Sequence, residues 1–310
     1  GVNKAVTQAE RDGLLKDAYQ IIGWCREAVQ LAKRLHQSND ALYNRFGAFR
    51  SNLVSLVEPG GGMDLYDGKL RARDGDGKII FDNVDYNRYW DHITEEVRPW
   101  SYMKFPYIRS LGPDDGWYKV GPLARVQNCD HIPTPFAEAE RREFVDYGGG
   151  QPVQATLAFH WARMIELLFA AEAIKELLQD DDILGNELEV SGERRERGVG
   201  VIEAPRGTLI HHYRVDEDGM ATRANLIVST THNNQAMNES IRQVAMRYLD
   251  GRQLTEGLLN HIEVAVRAFD PCLSCATHAL GKMPFNLELI DAEGECIDQM
   301  VRSSIERRPW

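Results

Sequence analysis

The sequence predicts an α+β fold, predominantly α-helical, with long packed helices and small antiparallel hairpins. Apolar residues recur at helical spacing through 14–32 and again through 152–178. β-prone runs flank Asp-Gly turns near residues 74–77 and 216–219, the mark of hairpins. The 310 residues, 43% hydrophobic and 27% charged, can bury a large core.

Thr7 and Glu10 form a capping box, and the helix behind them lines up Leu14, Ala18, Ile21, Ile22, Cys25, Val29 and Ala32 on one stripe. Cys25 inside that stripe reads as a small buried apolar residue. A second helix is expected over 41–57, before Pro59-Gly60-Gly61-Gly62 breaks the chain. Residues 69–73 and 78–81 read as hairpin strands around Asp74-Gly75-Asp76-Gly77, which lacks the closing glutamate of a calcium loop. A helix is expected over 85–97, and the aromatic run 100–107 as a buried packing segment. Residues 121–125 read as a loop, Cys129-x-His131 is too sparse for a metal site, and Thr134-Pro135 starts a helix.

The long helix over 152–178 carries Leu157, Trp161, Ile165, Leu168, Ala171 and Ile174, with His160 expected to be packed among them. Asp180-Asp181-Asp182 and residues 193–197 form a charged connection. Strands follow at 199–204, 209–215 and 221–228, and between the first two Pro205 and Gly207 bracket Arg206 on a stiff turn. A lone arginine there also suits a simple surface ion pair. Residues 230–234 offer polar caps for a helix running to 249. Another helix, 255–269, should stop before Pro271, and 285–290 with 295–301 suits a last hairpin. No internal repeat or low-complexity tract interrupts the chain.

A net charge of −11 argues against non-specific nucleic-acid binding. No apolar run approaches membrane-spanning length, and no leader pattern opens the sequence. Five scattered cysteines form no disulfide framework and suit a reducing cytoplasm. The opening at Gly1 rather than Met reads as a piece of a longer protein or a cut product.

The densest chemistry is Asp270-Pro271-Cys272-Leu273-Ser274-Cys275-Ala276-Thr277-His278. Two thiols at C-x-x-C spacing can converge on one soft metal. Three readings compete. A zinc knuckle needs a second ligand pair, which the sequence does not offer at the usual spacing. A thioredoxin-like pair sits after a strand at a helix start, whereas this pair follows a helix. The third reading is a transition-metal centre completed by ligands from elsewhere.

That nine-residue stretch resembles the C-terminal motif of [NiFe] hydrogenase large subunits. Glu203-Ala204-Pro205-Arg206-Gly207 and Thr230-Thr231-x-Asn233 match two further motifs of that family, in its order. Trp100-Ser101-Tyr102-Met103-Lys104-Phe105-Pro106-Tyr107 and Gly121-Pro122-Leu123 look like the cytoplasmic NAD-reducing, bidirectional type. The resemblance implies reversible heterolytic cleavage of H2 at a nickel–iron centre whose iron carries cyanide and carbon monoxide. Cys272 would be a terminal nickel ligand and Cys275 would bridge nickel and iron. Arg206 and Thr230 would hydrogen-bond a cyanide, Pro205 would shape the pocket, and Asp270 would orient Arg206. His278 would bind magnesium.

Residues 1–278 would then be the C-terminal part of the large-subunit domain, and 279–310 an extension removed by a maturation endopeptidase. The family's early R-x-C-G-x-C motif, which supplies two more thiolates, is not in this sequence. Electrons would pass to NAD through iron–sulfur clusters in a small subunit, then through flavin in diaphorase subunits. The chain itself has no G-x-G-x-x-G after a strand to bind a dinucleotide. His232 stands where many relatives have Trp. Two alternatives remain at this point: an inactive fragment, or a metal-free interaction subunit like the quinone-module subunit of respiratory complex I. Both cysteines argue against the latter.

Overall fold

A computed structural model describes residues 4–273 and 285–302. The chain opens on α1 (Gln8–Ser38), capped by the Thr7–Glu10 box that the sequence predicts. Ala18, Ile22, Cys25 and Val29 are buried, but Leu14 and Ile21 of the expected stripe face outward. A short α2 (Asp40–Tyr43) follows, and then β1 (Asn52–Val57), where a helix was expected. Every residue of β1 is buried, so no polar side repeats every second position and the run carries no period to separate strand from helix.

β2 (Lys69–Arg73) and β3 (Ile79–Val84) form the hairpin around the Asp-Gly turn, where Asp74 Oδ1 accepts from the amides of Asp76 and Lys78. The helix expected over 85–97 is a 3₁₀ segment (Tyr86–Asp91) capped by Asp85, followed by β4 (Ile93–Glu96). β4 pairs antiparallel with β5 (Phe105–Ile108). The aromatic run is only partly packing: Phe105 is buried, whereas Trp100 and Tyr102 at the ribbon's tip are exposed.

After α3 (Gly112–Asp115) and β6 (Tyr118–Lys119), residues expected as a loop form α4 (Pro122–Asn128), with Gly121 as N-cap and Pro122 in its first turn. α5 (Pro135–Tyr147) starts where predicted, but Thr134 makes no side-chain cap. The carboxylate of Glu172 takes over, accepting from the amides of Phe136 and Ala137. Glu172 lies on α6 (Ala158–Gln179), which begins later than the sequence suggested and leaves His160 at the surface rather than packed.

β7 (Arg197–Ala204), β8 (Gly207–Val215) and β9 (Ala221–Ile227) form a three-stranded antiparallel sheet. Residues 230–234, expected as caps, instead fall in α7 (Ser229–His232) and the start of α8 (Asn234–Tyr248). α9 (Glu256–Ala268) is capped by Thr255 and ends before Asp270-Pro271, as expected. β10 (Phe285–Ile290) and β11 (Cys296–Arg302) close the described chain as a hairpin.

Two cores hold these parts. A helical core gathers Val29, Leu123, Phe144, Trp161, Ile165 and Ile262 from α1, α4, α5, α6 and α9. A sheet core gathers Leu56, Leu70, Ile108, Tyr118, Val201 and Ile210. β1 belongs to the sheet core, pairing with β2 on one side and β6 on the other, and packs against α4 of the helical core. The mixed α+β class expected from the sequence is the one observed.

Candidate metal centre

The β7–β8 turn is two residues long, Pro205-Arg206, closed by the pairing of Ala204 with Gly207. Gly207 sits at φ +138, and a Cβ there would lie 2.3 Å from Val120 Cγ2. Gly121 faces it at φ +92, where a Cβ would lie 2.7 Å from the Arg206 carbonyl. The turn therefore packs backbone to backbone against the start of α4, which only glycine permits.

Arg125 of α4 clamps this turn from below. Its Nη1 donates to Glu203 Oε2 at 2.6 Å and to the Ala204 carbonyl at 2.8 Å. Its Nη2 donates to the Pro205 carbonyl and to Glu166 Oε2 at 2.7 Å, and its Nε to the other Glu166 oxygen. Glu203 also accepts from the Leu56 amide and the Thr208 hydroxyl. Burial alone would disfavour the guanidinium, yet the two carboxylates hold it charged, with its pKa raised above the usual arginine range. Sequence reasoning missed this clamp. Its one visible trace is Glu166, a carboxylate inside the apolar run of α6.

Arg206 itself is half-exposed. Its Nε donates to the Asp270 carbonyl and lies 3.2 Å from Asp270 Oδ2. Its two Nη groups have no partner among the described residues. Asp270 adopts φ +52, a left-handed turn that ends α9 and swings the chain toward Arg206. Two residues on, the Cys272 amide donates to Thr230 Oγ1 at 3.0 Å. Thr230 lies buried on α7, which Ser229 pins to the Gly207 carbonyl at 2.7 Å. Asn233 fixes the same helix end by accepting from the Val120 amide. Buried His232 bonds Tyr118 through Nδ1 at 2.6 Å, and burial pulls its pKa down to about 3.

The structure thus brings Pro205, Arg206, Thr230, Asp270 and Cys272 to one place from three separate segments. Cys275 and His278 lie outside the described residues. Among the described residues no group of three or more His, Cys, Asp or Glu side chains could hold a metal. What is present still fits a soft metal bearing anionic ligands. Cys272 offers a sulfur, once released from the disulfide that it makes here. Arg206 offers N–H donors that no described residue uses, and Thr230 can still donate its hydroxyl hydrogen. Cys25 and Cys129 are buried away from this place in the helical core, where burial raises both thiols, Cys129 to about 12.

Comparison with known proteins gives a consistent picture. The family described as nickel-dependent hydrogenase matches residues 67–278. The chain is 44% identical to the NAD-reducing hydrogenase HoxS subunit beta of Cupriavidus necator, over 97% of this chain and 64% of that protein. It is 37% identical to an F420-non-reducing hydrogenase chain of Methanococcus voltae, over 95% of this chain and 63% of the relative. Among solved structures, an NAD+-reducing [NiFe]-hydrogenase in the H2-reduced state superposes with a TM-score of 0.86 at 52% identity, over 90% of this chain and 62% of that one. The chain spans less than two thirds of these relatives' length. A [NiFeSe]-hydrogenase from Dm. baculatum at 20% identity and a TM-score of 0.66 shares the fold.

Proposed function

The chain belongs to the nickel-dependent hydrogenase family, a membership that implies a nickel–iron centre, and on that premise we propose that it forms part of the catalytic subunit of an NAD-linked [NiFe] hydrogenase. The observation that carries the site assignment is the tethered arginine. Arg206 is held through Nε by Asp270 while its Nη groups have no partner among the described residues, beside a cysteine whose amide is fixed by Thr230.

In this reading Cys272 and Cys275 supply two of the thiolates that hold the metals, and polypeptide that the relatives carry beyond this chain's span supplies the others. When bound, the centre supplies Lewis acidity toward H2 and a place for two electrons. The chain's own residues do the rest. The Cys272 sulfur is a base within the site that can hold a proton. The Arg206 fork, fixed in place before reaction, stabilises negative charge on groups beside the metals without reorganising. Thr230 adds one hydroxyl donor, Pro205 fixes the turn's φ and Asp270 sets the guanidinium's direction. His278 would take magnesium.

The remaining roles follow the same premise. Electrons leave through iron–sulfur clusters of a small subunit to flavin-bearing diaphorase subunits and NAD, in the cytoplasm; the relative's name as a subunit beta fits such an assembly. Among the described residues no helix is long and apolar enough to cross a membrane. Residues 279–310 are the removable extension, and their hairpin supports this. Arg302 pairs with Glu256 and Glu263 of α9, and Asp298 accepts from the Leu254 amide. The extension is thereby latched to the helix that leads into Cys272.

The test is nickel content and H2-dependent dye reduction of the chain expressed with the polypeptide completing the four-thiolate site. Cys272→Ser should abolish both, whereas Arg206→Lys should keep nickel and lower turnover by about 100-fold, the scale of losing a fixed charge-stabilising donor. Nickel and activity surviving in Cys272→Ser would remove the assignment. A chain ended after His278 that acquires nickel as well as the full-length chain would remove the extension's role in metal loading.

A further inference from the structure

A half-open cleft of about 530 Å³, which contains none of the metal-centre residues, lies between the β4–β5 ribbon and the β7–β8–β9 sheet. Strand register sets Arg197 opposite Arg214, and Arg214 opposite Arg223. Directly opposed residues point to one face and neighbouring strands lie about 4.8 Å apart, so three guanidinium groups form a row along the cleft. Like charges directly opposite one another destabilise a sheet. No carboxylate among the described residues pairs with any of the three.

The opposite wall adds to the charge. Arg109 lines the cleft, anchored by one donation to the Trp90 carbonyl, and Arg197 lies 4.1 Å over the Trp90 ring. Deeper in, Lys104 is paired with Glu95 at 3.3 Å. The other Glu95 oxygen is buried without a hydrogen-bond partner among the described residues. Four arginines that no described carboxylate pairs thus converge on one cavity of a chain whose net charge is −11.

We propose that this cleft binds a small molecule carrying adjacent phosphate groups on a hydroxyl- or amine-bearing body, a nucleoside diphosphate in size and chemistry. Guanidinium forks match phosphate oxygens two at a time, and a row of three spans more than one phosphate. The volume falls within the range of small-molecule sites. The unpartnered Glu95 oxygen takes a hydrogen bond from the body of the ligand, which a bare phosphate cannot give. The same buried Glu95 oxygen disfavours an acidic protein segment, whose carboxylates would meet it with like charge.

Titration calorimetry of the full 310-residue chain with ADP, pyrophosphate and an oligoglutamate peptide tests this. Arg214→Ser/Arg223→Ser serves as control, since both side chains are exposed and their removal relieves repulsion. The chain should bind ADP more tightly than pyrophosphate, and the double variant should lose at least tenfold in affinity for both while melting no lower than the parent. Absence of binding by both phosphate probes overturns the proposal, as does a double variant that binds equally well. Pyrophosphate binding as tightly as ADP overturns the part assigned to Glu95. Binding of oligoglutamate alone overturns it in favour of a protein partner.

Discussion

Lys119 shows how much one residue can set the response to pH. It is fully buried on β6, and among the described residues it bonds neutral acceptors alone: the carbonyls of Phe49 and Gln154 and the Gln154 side chain. Burial lowers its pKa from 10.5 to about 7. Between those values the unfolded chain holds a proton that the folded chain releases, so this residue makes stability rise with pH across that window. Below about 7 its full cost is present. Lys119→Met should flatten the curve: from pH 7 to 9 the parent should gain stability on the variant with a slope approaching ~1.4 kcal/mol per pH unit. Parallel denaturation curves across that range would show that Lys119 does not titrate there. Asp270 acts through geometry instead, at φ +52 and in contact with Arg206. Asn tolerates its left-handed backbone, whereas a β-branched side chain there costs roughly 1–2 kcal/mol more. Because the Arg206–Asp270 pair is half-exposed, breaking it costs at most about 1 kcal/mol. Asp270→Asn should therefore keep the parent's melting temperature and nickel content while lowering turnover in the completed enzyme, and Asp270→Val should lose stability as well. Unchanged turnover in Asp270→Asn would leave the pair without a positioning role. At this scale the sequence reveals residue types but not partners: Arg206, Thr230, Asp270 and Cys272 are legible through motifs, while the contact of Arg125 with Glu203 crosses 78 positions.

Among the elements, those with a strong local signal are legible and those shaped by their neighbours are not. The capping box of α1, the Asp-Gly turn between β2 and β3 and the Pro271 stop after α9 are local, and each stands where the sequence puts it. β1 is misread because it is sandwiched between β2 and β6 and buried on both faces, which erases the alternation that marks a strand. Residues 85–97 carry helix-compatible side chains, but pairing with β5 pulls 93–96 into a ribbon. The turn carrying Arg206 depends on such long-range support, since α4 holds it through Arg125 and through the Gly121–Gly207 approach. Arg125→Met would leave Glu166 and Glu203 as buried carboxylates without a counter-charge, at a cost of about 3–5 kcal/mol. Gly207→Ala would drive a methyl group into Val120. Urea unfolding should show both variants with lower midpoints, and Arg206→Lys with a midpoint near the parent's. A parent-like midpoint for Arg125→Met would mean that the clamp contributes nothing to holding the turn.

At the scale of the whole molecule, α1 has two faces and only one is covered. Its inner face packs on α6 through Ile22, Cys25 and Val29. Its outer face exposes Leu14, Ile21, Trp24, Leu31 and Leu35. These fall at intervals of seven, three, seven and four residues, with the partly buried Ala28 between Trp24 and Leu31, which is the spacing of a helix–helix seam. The sequence stripe was legible as helical, but a 31-residue helix with apolar residues on two sides does not reveal which side meets the core. A row of large apolar side chains exposed along one helix face is the kind of surface that marks a protein–protein contact. The chain on its own should therefore self-associate through α1, and Trp24→Glu/Leu31→Glu should return it to monomer without lowering its melting temperature, because neither side chain contributes to the core. Light scattering coupled to size exclusion reads this directly. A parent chain that stays monomeric at every concentration would show that the seam is too weakly apolar to hold a second helix.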